Sequence, residues 1–237
     1  MVWTGSPAME SLCSQLWAEG FLEATGGKGR ALWLCIGYIL ACRDTEVIVV
    51  HDCDILTYDR LLLGRLAYPL VVPDMEYDFA KGYYARVTDR LHGRVTRLFV
   101  TPVMRALRSM LGPLPFLEYL DSYRYPLSGE FSLRAFLARS IRIPSNLGLE
   151  IGLLCEAYRN CTPRHICQVD LSIDYEHKHE LSYEDPTKGL LKMCIDIAGY
   201  LFATLAAEGI VFTDNLLKDD TGGLSSHCRG YGQGIRG

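Results

Sequence analysis

Val47-Ile48-Val49-Val50-His51-Asp52-Cys53-Asp54 is the stretch on which the reading of this chain turns. Four consecutive β-branched residues predict a strand buried on both faces, as a central strand of a parallel sheet is. Two aspartates stand where it ends. In an open α/β sheet the ligand crevice lies outside the carboxyl ends of the strands, so Asp52 and Asp54 are expected where chemistry is done. On an extended backbone residues i and i+2 share a face, and two carboxylates there repel unless a hard cation such as Mg²⁺ or Mn²⁺ joins them. The pattern points to a metal-diphosphate site. Loop-capping aspartates are the plainer account of the same residues.

The totals set the class. A chain of 237 residues, 49% apolar and 22% charged, is long enough for one substantial α/β domain with a core and is not of disordered composition. Its net charge of -4 speaks against a general nucleic-acid surface, while leaving room for a local basic pocket around a phosphorylated ligand. The longest apolar run, Ala31 to Cys42, falls short of the roughly 18 to 20 residues that cross a bilayer, so no membrane partner is expected. Met1 to Pro7 has neither a basic region nor an apolar one, against a secretory signal. Nine cysteines without a Cys-x-x-Cys pair suggest neither a zinc ribbon nor a disulfide framework, and read as a reducing, cytoplasmic setting.

Met1 to Thr4 reads as a short strand, and Met9, Leu12, Cys13 and Leu16 as a helix stopped by Gly20. The glycine loop Thr25-Gly26-Gly27-Lys28-Gly29-Arg30 then leads into an apolar helix over 31–41. Glycines before a helix N-terminus let backbone N–H groups approach a phosphate, and Lys28 adds a charge; the loop is not a Walker A motif, and a simple turn explains it as well. Beyond the organising strand, Thr57 is expected to cap a helix ending at Leu66, with a break over Pro69 to Pro73 and a strand over 75–84.

Arg86, Arg90, Arg94 and Arg97 recur at helical spacing, either as a basic stripe or as a solvated face. From Val95 an i, i+3, i+4 apolar pattern predicts a helix that Pro102 should kink. Gly93-Arg94-Val95-Thr96 then lies at its N-terminus, where free N–H groups, an arginine and a hydroxyl suit a phosphate. Two loops follow, at 111–115 and at 125–130. Ser145 reads as the cap of a helix carrying Leu149, Leu153 and Leu154, with Glu150 in its first turns. A strand over 166–173 runs into His177 and His179, a pair able to supply imidazole to a cation though more often plain loop histidines. A long apolar helix over 185–207 precedes a glycine-rich polar tail, expected to be disordered.

Taken in order, the Gly-Lys-Gly loop, Asp-x-Asp, Lys81-Gly82-Tyr83-Tyr84, Gly93-Arg94-Val95-Thr96, Pro126-Leu127-Ser128-Gly129-Glu130, Gly148-Leu149-Glu150-Ile151-Gly152 and the histidine pair make the chain resemble the glucosyl-3-phosphoglycerate synthase family. These are retaining glycosyltransferases of the GT-A fold that use a sugar nucleotide and a divalent metal. The resemblance implies an α/β, GT-A-like sheet flanked by helices, cofactors Mg²⁺ or Mn²⁺, and hexose transfer from a donor of the UDP-glucose or GDP-mannose type to a small phosphorylated acid such as 3-phosphoglycerate. It also admits a homodimer.

It implies roles for individual residues. Lys28 and Glu150 match catalytic positions. Lys28, Asp52, Asp54, Leu127, Ser128, Gly129 and Glu150 match the donor site, Asp54 and His177 the metal ligands, and Gly93, Arg94, Val95, Thr96 and His179 the acceptor site. No enzymic nucleophile is implied. Two departures stand out: the family more often has alanine where Ser128 stands, and asparagine in some members where His179 stands. The resemblance runs from about Trp3 to about Leu205, so residues 1–209 are expected to form a partial domain lacking the family's first strands, residues 210–237 a tail, and the chain a piece of a longer protein.

Two other readings fit parts of the pattern. A non-catalytic fragment or phosphate-ligand-binding module would need the same loops. A phosphatase of the haloacid dehalogenase type shares the Asp-x-Asp, but wants Thr or Val where this chain has Leu56.

Overall fold

A computed structural model describes residues 5–21, 27–41, 44–84, 93–172 and 189–213. Four strands form one mixed sheet: β1 (Val47–Val50), β2 (Phe79–Tyr84), β3 (Phe131–Arg134) and β4 (Ile166–Ser172), in the order β1-β3-β2-β4. β2 and β4 are parallel, while β3 runs antiparallel to both β1 and β2.

The expectation of a central, fully buried β1 is corrected by this order. β1 is an edge strand among the described residues, and only Ile48 is buried, because β3 lies on one side alone. β3 itself was not foreseen. Four residues, Phe-Ser-Leu-Arg, are too few to show alternation, and its buried Ser132 breaks the apolar run; the hydroxyl is satisfied by donating to the Leu66 carbonyl at 2.6 Å.

Helices cover both faces. On one, α3 (Arg60–Val71) lays Leu62, Leu66 and Leu70 against Ala80, Tyr84 and Leu171. On the other, α4 (Thr101–Leu111), α5 (Pro115–Asp121), α7 (Leu149–Asn160) and α8 (Leu190–Ala207) pack on Phe79, Phe131 and Leu133 to make the larger core. The described residues also form α1 (Pro7–Ala18), α2 (Lys28–Ala41) and α6 (Ala135–Ser140).

Several boundaries differ from those read in the sequence. α2 begins at Lys28, three residues earlier than expected. Asp59, not Thr57, caps α3, its carboxylate accepting from the Leu61 N–H at 3.0 Å, and the helix continues through Pro69 to Val71. Proline in the last turn removes one helical hydrogen bond without ending the element there. The strand expected from Met75 starts at Phe79, after a short 3₁₀ turn over Pro73–Met75. Ser145 does not cap α7, which begins at Leu149 behind Gly148.

Pro102 is accommodated by a π-helical turn over Thr96–Val100 just before α4, in which the Thr101 N–H reaches the Thr96 carbonyl five residues back. Gly93 opens this helix with φ 66°, a left-handed conformation that glycine adopts without penalty. The statement that no apolar stretch is long enough to cross a bilayer is also corrected: α8 reaches that length and composition. It packs on α7, with Ile197, Leu201 and Leu205 fully buried.

The expected strand over 1–4, Thr25, Gly26, Arg86 and Arg90, residue 173, His177, His179, residues 185–188 and the tail beyond 213 lie outside the described residues.

Candidate functional site

The sheet register carries Asp52 to Gly129. Val50 pairs with Phe131 across β1 and β3, so the chain leaving β1 meets the loop entering β3, and Asp52 comes up against Gly129. At Gly129 the approach is closer than any side chain permits: a Cβ there would stand 2.2 Å from Asp52 Oδ2. Glycine lets the Asp52 carboxylate occupy the space a methyl group would otherwise fill.

Lys28, the first residue of α2, reaches this carboxylate. Its Nζ lies 2.6 Å from Asp52 Oδ1 and 2.9 Å from Glu150 Oε1. Burial lowers the affinity of the Lys28 ammonium for its proton, but Glu150 and Asp52 outweigh that and hold it well above the ordinary lysine range. Glu150 sits in the first turn of α7, where a carboxylate is also favoured by the helix dipole. Three expected site residues, from α2, the β1 end and α7, are thereby joined in one ion-pair network at the carboxyl edge of the sheet. Asp54 follows in an exposed turn.

Beneath this network lies a layer in which the sequence assigned Leu127 and Ser128 but not Lys81 or Glu130. Lys81 of β2 is 2% exposed and donates to the Ser128 carbonyl. The Gly82 N–H donates to the Glu130 carbonyl at 2.9 Å, and the Ser128 hydroxyl donates to the Gly82 carbonyl, so the Ser128 side chain is turned inward and fully buried. Glu130 is fully buried as well. Leu127 packs against the main core. Both ring nitrogens of His51 are buried without a hydrogen-bond partner among the described residues, its ring meets Tyr58 edge-on, and burial pushes its pKa down against the opposing charge of Asp52. The signal for Lys81 and Glu130 was present, since both fall in the ordered motifs, but position in a motif does not say which side chains are sealed inside.

Gly93, Arg94, Val95 and Thr96 start the helix that runs into α4, as read from the sequence. The Arg97 N–H donates to the Gly93 carbonyl at 2.9 Å, which leaves the earlier N–H groups without helical acceptors. Thr96 Oγ1 is buried and has no hydrogen-bond partner among the described residues. No three His, Cys, Asp or Glu side chains converge among the described residues in a way that would hold a metal. The carboxylates of Asp52 and Asp54 are hard oxygen donors, which suits Mg²⁺ or Mn²⁺. His177, the imidazole expected to complete such a site, lies outside the described residues.

No family model matches the chain. It is 49% identical over 218 residues to glucosyl-3-phosphoglycerate synthase of Persephonella marina, covering 92% of this chain and 54% of that protein. The enzyme of the same name from Methanococcoides burtonii is 39% identical over 223 residues, 92% of this chain and 53% of the relative. The chain belongs to the glucosyl-3-phosphoglycerate synthase family.

It spans about half the length of the curated relatives it matches. In three dimensions it is similar to the glucosyl-3-phosphoglycerate synthase of Mycobacterium tuberculosis in complex with Mn²⁺, UDP-glucose and phosphoglyceric acid, with a TM-score of 0.60 and 26% identity over 84% of this chain and 61% of that one. That likeness gives the sheet and its helices a GT-A fold. Family membership removes the dehalogenase-type phosphatase reading.

Proposed function

We propose that this chain carries the donor and acceptor subsites of a retaining hexosyltransferase that moves a hexose from a sugar nucleotide, of the UDP-glucose or GDP-mannose type, to a small phosphorylated acid such as 3-phosphoglycerate. The observation that carries this reading is the ammonium of Lys28 held between Asp52 and Glu150 at the carboxyl edge of the sheet. Such a cation, fixed by two carboxylates, is prepared to take a diphosphate oxygen as a further acceptor. Solved structures of the Mycobacterium tuberculosis relative contain Mn²⁺ with UDP-glucose and phosphoglyceric acid, Mn²⁺ with UDP-glucose and glycerol 3-phosphate, and Mg²⁺ with UDP. Residues 1–209 would make up part of a transferase domain and 210–237 a tail.

In this reading Asp54, with His177, holds Mg²⁺ or Mn²⁺ beside Asp52. The cation supplies Lewis-acid stabilisation of the charge that grows on the leaving diphosphate. Lys28 adds a hydrogen-bonding cation at the same phosphates, and its ties to Asp52 and Glu150 orient it before the donor arrives. Glu150 borders the transferred sugar, whose ring acquires oxocarbenium character as the anomeric bond breaks. Leu127, Ser128 and Gly129 line the sugar through their backbone, since the Ser128 hydroxyl is engaged inside the fold.

The acceptor phosphate would sit on the helix start at Gly93, Arg94, Val95 and Thr96, with His179 nearby. The Thr96 hydroxyl, buried with no partner among the described residues, supports this placement, because a buried donor calls for an acceptor that a phosphate would supply. Held there, the acceptor hydroxyl attacks from the face the diphosphate leaves, which gives retention without an enzymic nucleophile.

The test is product formation. Incubation of the chain with Mn²⁺, UDP-glucose and 3-phosphoglycerate should release UDP and give an α-glucoside detectable by its anomeric proton coupling. No release of UDP from UDP-glucose and none of GDP from GDP-mannose would overturn the reading.

A further inference from the structure

Lys81 is a buried charged side chain to which the reading above gives no role. It shares a sheet face with Phe79 of the same strand, and strand alternation points both toward the core on which α7 packs. An ammonium sealed inside a protein is among the most unfavourable groups to bury, and it persists where neighbouring charges and hydrogen bonds hold it. Here its ammonium donates a hydrogen bond to the Ser128 carbonyl, and its charge interacts favourably with Glu150, Glu130 and Asp52 and unfavourably with Lys28. Three carboxylates thus share two ammonium groups.

The hydrogen bonds around Lys81 define what it holds. Lys81 and Gly82 bind the loop at Ser128 and at Glu130, one on each side of Gly129. Gly129 is the residue pressed against the Asp52 carboxylate, with no room for a Cβ between them. A shift of this loop is a shift of the wall on which Asp52 rests.

The geometry points to Lys81 as a positioning residue of the donor site, which fixes the Ser128–Glu130 loop against Asp52 and offsets from within the sheet the carboxylate surplus of Asp52, Glu130 and Glu150. This role rests on the donor-site reading. Its electrostatic part has a distinctive sign: the buried positive charge opposes a free divalent cation at the aspartates and favours an incoming diphosphate. Removing it should move the two ligands in opposite directions. Loosening of the fold would weaken both.

The experiment uses the 237-residue chain, with Lys81→Met to remove the charge and Lys81→Arg to restore it. Lys81→Gln, which keeps a donor for the Ser128 carbonyl, serves if the methionine variant does not fold. Folding is checked by far-UV circular dichroism, Mn²⁺ alone is titrated by electron paramagnetic resonance, and UDP-glucose is titrated calorimetrically in saturating Mn²⁺. The neutral variants should bind Mn²⁺ at least threefold more tightly and UDP-glucose at least tenfold more weakly, and Lys81→Arg should return the Mn²⁺ affinity toward that of the parent. Unchanged affinities in a folded neutral variant, or a parallel loss of both, would overturn the assignment. A parent chain that binds Mn²⁺ but no UDP-glucose defeats the donor-site reading while the Mn²⁺ comparison still decides on Lys81; a parent that binds neither overturns both.

Discussion

The ammonium of Lys28 meets the carboxylate of Glu150 at 2.9 Å across 122 residues of chain. Two helix starts make this contact, and backbone packing behind it brings them together. Gly29, the second residue of α2, lies so close to the loop before α7 that a Cβ would stand 1.8 Å from the Pro144 carbonyl oxygen. The same proximity that glycine permits at residue 29 delivers Lys28 to Glu150.

Two glycine substitutions should therefore behave differently. Gly29→Ala drives a methyl group into backbone that cannot rotate away, and should destabilise the chain by about 2 kcal/mol or more, measured by urea unfolding. Gly129→Ala meets only the end of the Asp52 side chain, which can swing aside. Its stability should change by less than about 1 kcal/mol, the range of a partly exposed ion pair, while affinity for UDP-glucose in Mn²⁺ falls at least tenfold.

Asp54 stands in an exposed turn. Asp54→Ala should leave the unfolding midpoint nearly unchanged, within about 0.5 kcal/mol, and abolish Mn²⁺ binding and turnover together. His177→Ala is expected to do the same. Turnover retained in both variants would refute the assignment of these two residues to the metal.

Lys81 gives the chain a pH signature. Burial pushes its pKa down to about 8, against the opposing pull of Glu150, Glu130 and Asp52, whereas in the unfolded chain it titrates near 10.5. Between those values the unfolded state holds a proton that the folded state has released, so raising the pH across this window stabilises the native form. Unfolding free energies at pH 8 and pH 10 should show the parent gaining on Lys81→Met. Equal changes in the two proteins would contradict a depressed lysine.

The elements that carry strong local patterns were legible in the sequence: the Val47–Val50 strand, the helix beginning after Gly93, and the apolar helices around Leu149 and Leu201 all lie where periodicity and glycine placement put them. Sheet order was not. A run of four β-branched residues reads the same on an edge as at the centre, and only the unforeseen β3, reversed beside β1, reveals that Val47, Val49 and Val50 are half-covered. Site residues show the same division. Lys28, Asp52 and Glu150 were each singled out, yet nothing in spacing says that they touch. Lys81 and Glu130 went without a role, because a charged residue in a short motif looks solvated until the strands on either side of it are known.

The most direct measurement is a calorimetric titration of UDP-glucose into the 237-residue chain in the presence of Mn²⁺, repeated with Lys28→Met. Lys28 is half-exposed, so the variant should stay folded with a stability change under about 1 kcal/mol. The account predicts saturable one-site binding in the parent and at least a tenfold loss in the variant. No heat from UDP-glucose or GDP-mannose in the parent, or an affinity unaltered by removing the ammonium between Asp52 and Glu150, would contradict it.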